Sequence, residues 1–555
     1  MPRARLTALL LLLLTAAGIL AREPRLLLEP RMWGEDGSNY YRFAFQNGWL
    51  DALLYLPLNG PGYYSFAQDA ASVLAVALGP PERAAQVFLW LSLLAQLSPA
   101  LVVLFGRSHV WDTTGKQALV CALLVLSPAA GIEVWLNLVI AMNHFGLAAL
   151  CVLMEDLRPP VSRGRAWGLR LLLLAGGLSG PWVVALAPLF VLKALAERTR
   201  ESRVQLGIVL ATCAVQGAIV LATLSQGALD RERSAAVPVG LMLDIVAVHH
   251  LLQPILGGLL DRFVELAALR PALRGGSEPG VYWHGLLLLA PLLAGVSALL
   301  APPPWRWQRW ALLGGLVLSS AVAAVGAYGV AVGRYAFIPG LAVGLLLVDN
   351  LGPAATGWQR ARRRISAVAL AVALAAGAWG WHDHRADPGW EADYPAWADE
   401  VARWRADPEH ALVGMPRAFL IPLQRRGIAA DLKAELARLE GFELSAAGKR
   451  ELLLPVRGVP AFGRLVLELD SAVPSADLAL SLDLLRHDGT PLASGRMAEV
   501  RRRSRPGQPV LADTLVRGPG LGRVAALRLR LTAPAGGSSP VTIRRARFGD
   551  ELLFF

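Results

Sequence analysis

The sequence has little charge and almost no cysteine. Only 17% of its 555 residues are charged and 55% are hydrophobic, whereas soluble domains average roughly 25% charged and 45–50% apolar residues. Its three cysteines, Cys121, Cys151 and Cys213, all fall inside apolar stretches. This cysteine content implies no disulfide framework and no cysteine-based metal site, and the excess of apolar residues indicates a membrane protein.

Several well-known catalytic motifs are also missing. The chain contains no P-loop, no GxGxxG opening a nucleotide fold, no HExxH and no GxSxG elbow, so ATP-driven and soluble-hydrolase functions have no residues to support them. The net charge of +12 could indicate a nucleic-acid partner. Because the arginines concentrate in short loops between apolar runs, they match cytoplasmic loops instead. We predict no nucleic-acid partner and a bilayer location, in the cytoplasmic (inner) membrane of a bacterium.

Long apolar runs occupy residues 1–381, the predicted transmembrane domain. A spanning helix needs roughly 20 apolar residues, and the pattern predicts about 11 spans. The predicted spans are 6–21, 84–105, 117–132, 137–154, 168–179, 181–196, 205–226, 283–301, 311–331, 335–349 and 366–381. The stretch 168–196 is divided at Ser179-Gly180-Pro181 because both its flanks are basic and should lie on the same side.

The basic loops also predict the orientation. Arg3 and Arg5 place the N-terminus in the cytoplasm, so the loops 22–83 and 227–282 should lie outside, together with everything after residue 381. The first run fits either an uncleaved anchor or a cleaved signal peptide. Ile19 occupies a position where cleavage requires a small residue, which favours the anchor.

The tail, residues 382–555, has the composition of a soluble protein. We predict a small mixed α/β segment over 382–450 and a β-sandwich-like domain over 451–555, both periplasmic or extracellular. Leucine alternates with polar residues over 480–484, and Asp488-Gly489 predicts a hairpin turn. Short alternating strands between turns are typical of a β-sandwich. We predict no catalytic residue in the tail.

An acidic motif, Glu35-Asp36-Gly37, follows the first span. The glycine after two carboxylates suggests a turn in which Gly37 adopts a left-handed conformation. A carboxylate at the membrane surface can take a proton from an acceptor hydroxyl, or help to hold a divalent cation such as Mg²⁺ or Mn²⁺. The alternative is a solvated acidic turn without a chemical role.

Arg334 and Tyr335 lie between two apolar runs. An arginine so close to hydrocarbon is costly and suggests a function, and its guanidinium can bind phosphate oxygens in bidentate fashion. The alternative is an arginine that snorkels to the interface. Additional site candidates are Tyr63, Glu133, His249 and His250.

The two histidines are adjacent and therefore point to different faces of a helix, which argues against their sharing one ion. The polar residues of the fourth predicted span are assigned to hydrogen bonds between helices. These residues are Asn137, Asn143 and His144.

The combination of features resembles the GT-C class of integral membrane glycosyltransferases. The matching features are Trp33-Gly-Glu-Asp-Gly37 after an anchor helix, Gly60-Pro-Gly-Tyr63, Gly180-Pro181, Arg334-Tyr335 and a non-cytoplasmic C-terminal domain. The resemblance implies a cell-envelope transferase that moves a sugar from a polyprenyl-phosphate-linked donor to a glycan, lipid or protein acceptor. It further implies that Asp36 is the base or metal ligand, with Glu35 as its neighbour, and that Arg334 contacts the donor phosphate.

The chain departs from part of that class. It has neither the tryptophan-rich Asp motif of oligosaccharyltransferases nor a second DxD, which disfavours protein N-glycosylation. Two alternatives stay open: a transporter or exporter of a lipid-linked glycan, and a non-catalytic membrane assembly protein. Transporters usually carry internal repeats and charge at the membrane midplane. We find no clear repeat, and the polar residues cluster at one predicted face.

Overall fold

The structure is a computed structural model. It describes residues 2–56, 62–128, 134–158, 161–225, 245–257, 307–326, 333–354, 356–385, 395–408, 410–415, 420–421, 423, 432, 435–444, 451–456, 462–471, 479–496, 498–499, 510–517, 524–532 and 541–549. The chain folds into two compact units, and each unit combines several separate segments of the sequence. The helical unit comprises 1–30, 61–71 and 86–392, and the mixed unit comprises 31–60, 72–85 and 393–555.

The first 385 residues form helices wherever they are described, apart from connecting turns. Those that contribute to the helical unit are Pro2–Arg22, Pro24–Leu28, Phe66–Leu78, Pro81–Phe105, Thr114–Leu126, Ala141–Met154, Arg163–Gly177, Pro181–Ala185, Ala187–Glu197, Arg200–Ser225, Ile245–Leu252, Gln253–Leu256, Trp307–Gly326, Gly333–Ala336, Phe337–Asp349 and Gly357–Arg385. Two of them, Phe66–Leu78 and Pro81–Phe105, also contribute residues to the mixed unit.

Among the described residues, four helices are long and apolar enough to cross a membrane. They are Ala4–Arg22, Pro81–Phe105, Arg200–Ala222 and Gly357–Trp381. The first exposes Leu13 and Leu14 by 65% and 67%, which suits lipid and would be unfavourable in water. The chain is therefore an integral membrane protein. The count of 11 spans stays a prediction, and the predicted span 283–301 lies outside the described residues.

The predicted break at Ser179-Gly180-Pro181 is confirmed. One helix ends at Gly177 and the next begins at Pro181, where the fixed φ of proline suits a first helical position. Gly180 has φ +151°, and a Cβ there would lie 2.8 Å from the Cβ of Met142. Only glycine meets both conditions without strain.

The helix Phe66–Leu78 was not predicted, because its sequence falls inside the expected outer loop 22–83. Its 13 residues are fewer than the roughly 20 that a span requires, and Asp69 interrupts its apolar stretch. For these two reasons the sequence pattern does not predict a span there. Its first turn is fixed by the main-chain N–H groups of Phe66 and Ala67, which donate to the carbonyl of Leu178 and the hydroxyl of Ser179.

The mixed unit begins with an acidic loop, which we define as residues 31–56. It contains a wide (π-helical) turn over Asp36–Tyr41, followed by the short helices Arg42–Gln46 and Trp49–Leu53. The first part of the tail adds the helix Trp397–Ala406 and two antiparallel strands, β1 (Leu412–Val413) and β2 (Leu420–Ile421). The expected domain boundaries at 381 and 450 stay predictions.

The described residues of the tail also form two larger antiparallel sheets. Their strand orders are β4-β10-β6-β7 and β3-β11-β5-β9-β8. The bounds are β3 Phe442–Leu444, β4 Glu451–Pro455, β5 Phe462–Ser471, β6 Ala479–Leu485, β7 Pro491–Arg496, β8 Ala498–Glu499, β9 Val510–Arg517, β10 Ala526–Thr532 and β11 Val541–Gly549. Leucines of β6 and β10 share one apolar core with leucines of β5, so the sheets pack face to face.

The predicted turn at Asp488-Gly489 is confirmed between β6 and β7. Gly489 has φ +77°, and the N–H of Arg486 donates to the carbonyl of Thr490 over 2.9 Å. The strand β6 also occupies the stretch where leucine alternates with polar residues. Local sequence signals of this kind depend on a two-residue period and on turn chemistry, and they need no distant partner.

Candidate functional site

The main chain beside the acidic motif is held by the tail. The N–H of Gly34 donates to the carbonyl of Met415 over 2.7 Å, and the N–H of Met415 donates to the carbonyl of Met32 over 3.0 Å. Trp33 and Met415 thereby form a parallel bridge. Main-chain pairing of this kind fixes the backbone position of the residues immediately before Glu35.

The two carboxylates lie in a protein environment. Glu35 is 6% exposed and Asp36 is 1% exposed, which excludes the solvated acidic turn that the sequence left open. Asp36 begins the wide turn Asp36–Tyr41, whose hydrogen bonds span five residues instead of four. Such wide turns are rare and occur frequently at functional sites. Because burying charge is costly, a buried acidic pair calls for a specific explanation.

Gly37 does not adopt the left-handed conformation that we expected, so that prediction was wrong. Its φ is not positive, unlike that of Gly62 or Gly180. A Cβ on Gly37 would instead overlap the Cδ1 of Ile421, and it would lie 3.1 Å from the Cβ of Met32. The glycine is required by the close approach of strand β2, which no local pattern could indicate.

Aromatic rings of the acidic loop pack against one another and against the tail. Tyr55 stacks on Phe43 with ring centres 3.9 Å apart and meets Tyr40 edge-on at 5.8 Å. Phe45 meets Trp404 of the tail edge-on at 5.6 Å. Pairs with these geometries add to the energy of burial. They make the acidic loop a packed structure.

Tyr41 lies in the same turn as Asp36. Burial raises the pKa of its phenol, and the nearby charge of Glu82 raises it further. Tyr41 therefore keeps its proton at neutral pH and remains able to donate a hydrogen bond.

The helix Trp397–Ala406 holds other parts of this unit. The indole N–H of Trp397 donates to the carbonyl of Pro81 over 2.8 Å, and Arg405 forms an ion pair with Glu82 at 3.0 Å. The indole N–H of Trp404 donates to the carbonyl of Leu423 over 3.1 Å. The first part of the tail is thus bonded to the start of the helix Pro81–Phe105.

Arg334 occupies the helical unit and is fixed there through its main chain. Its carbonyl accepts from the side-chain amide of Asn143 over 3.0 Å, and the amide oxygen of Asn143 accepts from the indole N–H of Trp182 over 2.6 Å. The Arg334 guanidinium lies 5.1 Å from the ring centre of Tyr335. Asn143 joins three elements, so its predicted role in hydrogen bonds between helices is confirmed.

The two neighbouring polar residues form hydrogen bonds with local backbone, and their role between helices stays a prediction. The Asn137 side chain accepts from the N–H of Ile140 over 3.1 Å and donates to the carbonyl of Trp135 over 3.2 Å, which caps its own turn. The Nδ1 of His144 lies 3.3 Å from the carbonyl of Ile140 within one helix turn. Both polar groups satisfy local backbone, as short polar side chains near helix starts often do.

The first turn of the helix Ala141–Met154 brings several predicted residues together. The hydroxyl of Tyr63 contacts the sulfur of Met142 at 3.1 Å, and the next residue, Asn143, holds Arg334. Tyr63, Arg334 and Tyr335 therefore gather around one helix start. Gly60 and Pro61, the first residues of the motif that ends in Tyr63, lie outside the described residues.

The adjacent histidines diverge as their spacing predicts. The Nδ1 of His249 lies 3.0 Å from the side-chain oxygen of Gln253. His250 is fully buried, and within the described part of the chain neither of its ring nitrogens has a hydrogen-bond partner. Both lie on a second wide helical turn, Ile245–Leu252.

The described residues give no direct evidence for a metal centre. Among them, no group of three or more His, Cys, Asp or Glu side chains could hold an ion. Glu133, the other predicted carboxylate, lies outside them. The involvement of Mg²⁺ or Mn²⁺ stays a prediction, as does a single cavity shared by Asp36 and Arg334, because these residues belong to different units.

Arg22 is a notable residue that the sequence analysis missed. Its guanidinium lies between the rings of Trp135 and Trp381, 5.0 and 4.9 Å from their centres. Its Nε and Nη2 donate to the carbonyl of Val125 over 2.9 and 2.6 Å. An arginine at the end of an apolar span was an available signal, but its two tryptophan partners lie far from it along the chain.

Comparisons with known proteins give little further information. No protein-family model matches the chain, and no curated protein matches it in sequence. Among solved structures, it is similar to the cryo-EM structure of the arabinosyltransferase EmbB from Mycobacterium smegmatis, with 12% sequence identity and a TM-score of 0.35. The match covers 97% of this chain and 64% of that one, so the chain spans less than two thirds of the neighbour's length. At this identity and TM-score the likeness assigns no function.

Proposed function

We propose that the protein is a membrane glycosyltransferase. It would transfer a sugar from a polyprenyl-phosphate-linked donor to a glycan, lipid or protein acceptor on the non-cytoplasmic side. The observation that carries the proposal is the burial and backbone geometry of the acidic pair. Asp36 is 1% exposed and begins a wide helical turn, and the main chain before it is paired with the tail. A non-functional surface turn needs none of these features.

In the proposed reaction, Asp36 acts as the general base. Its carboxylate takes the proton of the acceptor hydroxyl while the hydroxyl oxygen forms a bond to the anomeric carbon of the donor sugar. The bond between that carbon and the phosphate oxygen breaks, and its electron pair leaves with the phosphate. The proton stays on Asp36 until product release.

The leaving phosphate gains negative charge and needs a cation nearby. Arg334 is the candidate because its guanidinium can form two parallel hydrogen bonds to phosphate oxygens. The Asn143 amide holds the Arg334 main chain, and the Tyr335 ring lies beside its side chain. A positioned arginine of this kind loses less freedom on binding than a mobile one.

A divalent cation is compatible with the acidic pair. Glu35 and Asp36 supply the hard oxygen ligands that Mg²⁺ and Mn²⁺ prefer. Mg²⁺ sites commonly use one or two carboxylates and complete the shell with water and substrate phosphate. Such an ion would supply additional positive charge for the leaving phosphate.

The test is a transfer assay with purified full-length protein and labelled polyprenyl-phosphate sugars. We expect Asp36→Asn to lower kcat by about 10²-fold or more, since the variant cannot accept the proton. Asp51→Asn is the matched control, because Asp51 is an exposed acid of the same loop and should leave transfer unchanged. Equal transfer by wild type and Asp36→Asn would remove Asp36 from the mechanism. Absence of turnover with every donor would reject the glycosyltransferase proposal.

A further inference from the structure

Glu400 is a fully buried carboxylate in the helix Trp397–Ala406, with a solvent exposure of 0%. One of its oxygens accepts from the guanidinium of Arg403 over 2.9 Å. The other accepts from the N–H of Val413 over 2.9 Å and lies 3.0 Å from Nε2 of His410. A single carboxylate therefore joins this helix to the segment 410–413.

The segment that Glu400 fixes leads directly to the acidic motif. Val413 is the end of strand β1, which pairs with β2 in the register Leu412 to Ile421 and Val413 to Leu420. The Ile421 side chain then packs over Gly37, leaving no room for a Cβ there. Glu400 is thus connected, through β1 and β2, to Gly37, the residue immediately after Asp36.

A second set of contacts connects the same segment to Gly34, the residue before the two carboxylates. Met415 follows β1 by two residues, and its carbonyl accepts from the N–H of Gly34 over 2.7 Å. The acidic pair is thus bracketed by two contacts from the same short stretch, one on Gly34 and one on Gly37. That stretch is anchored to its helix by Glu400.

We propose that Glu400 is a positioning residue for the acidic pair, and this inference rests on the proposed function of Asp36. Removing a partner from a buried charged hydrogen bond leaves the remaining groups unsatisfied. In Glu400→Gln the amide offers one acceptor oxygen in place of two to the Arg403 guanidinium, the Val413 N–H and the His410 ring. The link to the segment 410–413 is then weakened, which would loosen both contacts on the acidic motif. A displacement of about 1 Å at a reacting group can lower a rate by about 10²-fold.

This role is separable from the stability of the tail as a whole. The apolar core between the two sheets is built from residues 432–546, and Glu400 contributes nothing to it. A change at Glu400 should therefore loosen the acidic loop while the sheets remain folded. Amide hydrogen exchange measures these two regions independently.

The test compares Glu400→Gln with wild type in full-length protein reconstituted in lipid nanodiscs. Glu435→Gln is the matched control, since Glu435 forms an ion pair with the exposed Arg438 in the same tail. We expect exchange in peptides covering 32–37 and 412–421 to become about tenfold faster, with no change at 465–469. In the transfer assay, kcat should fall by about 10²-fold while KM for the donor stays constant.

Ile421→Val is a second variant, in case Glu400→Gln does not fold. It deletes only the Cδ1 atom that faces Gly37 and changes no charge. We expect a smaller acceleration of exchange over 32–37, by about threefold, with a matching decrease in kcat. Unchanged exchange over 32–37 in both variants would overturn the positioning role, whatever the activity.

Faster exchange with an unchanged kcat would also overturn it, since the position of the acidic pair would then be irrelevant to transfer. A different result identifies failure of the proposed function itself: wild-type protein that transfers no sugar from any donor. In that case hydrogen exchange alone still decides whether Glu400 fixes the loop.

Discussion

The acidic loop and the helix start around Asn143 each carry predicted site residues, but the two regions are held in different ways. The backbone beside Asp36 is held by main-chain hydrogen bonds to Met415. Arg334 is held by a side-chain amide, that of Asn143, which also bonds Trp182. Helices already use their own main-chain groups, so contacts between them depend on side chains. An irregular loop has free main-chain groups and can pair like a strand.

The largest effect is expected from a variant that displaces the acidic loop. Gly37→Ala introduces a Cβ that overlaps Ile421, so the turn that begins at Asp36 must move. We expect kcat for sugar transfer to fall by about 10²-fold. The measurement is steady-state transfer by the purified variant.

The control is Gly48→Ala, because the nearest atom to a Cβ at Gly48 is an Asp51 oxygen at an ordinary 3.6 Å. The double variant Gly37→Ala with Ile421→Ala removes the overlapping side chain and should recover most of the lost kcat. If the second change brings no recovery, the steric explanation of Gly37 is incorrect.

An intermediate effect is expected from breaking the side-chain link in the helical unit. Asn143→Leu removes the hydrogen bonds to the Trp182 indole and the Arg334 carbonyl, which should destabilise the protein by about 1–3 kcal/mol. Because Arg334 is then less well positioned, KM for the donor should also rise. Thermal unfolding in detergent and donor titration provide the two measurements.

Asn350→Leu is the matched control for that variant. It removes a hydrogen bond to Ser366 in the same unit, yet it leaves Arg334 untouched. We expect a similar decrease in stability with no change in KM. A rise in KM for both variants would attribute the effect to general loosening of the helices.

The smallest effect concerns the stacked Arg22. Trp381→Leu removes one of its two aromatic neighbours and the hydrogen bond from the Trp381 indole to the carbonyl of Ala21. We expect a loss of about 1–2 kcal/mol in the free energy of unfolding. Trp379→Leu should change little, because Trp379 is 65% exposed. Equal destabilisation by both variants would show that stacking on Arg22 contributes nothing specific.

The sequence predicted local features of the fold well. Runs of apolar residues indicated most of the described long helices, Gly180-Pro181 indicated a helix break, and leucine alternation indicated strand β6. Each signal lies within one element and depends on period, turn chemistry or length. The helix Phe66–Leu78 was missed because a polar residue and a short length removed the signal for a span.

Residues of the candidate site were predicted less completely. Glu35, Asp36 and Arg334 stood out by residue type and position, and their chemical roles stay predictions. Gly37 was predicted for the wrong reason, a left-handed conformation. Glu400 was not predicted at all, because an acidic residue on an amphipathic helix is common. Its significance comes from burial and from bonds to His410 and Val413.

The amino-acid sequence by itself determined that this chain enters a membrane, since the length and apolarity of a helix are enough to decide its solvent. It also determined where strands turn and where one helix ends. Only the tertiary structure decided that the tail, through Met415 and Ile421, holds both ends of the Glu35-Asp36 pair. Contacts between residues far apart along the chain depend on how elements pack, and no local period or motif encodes them.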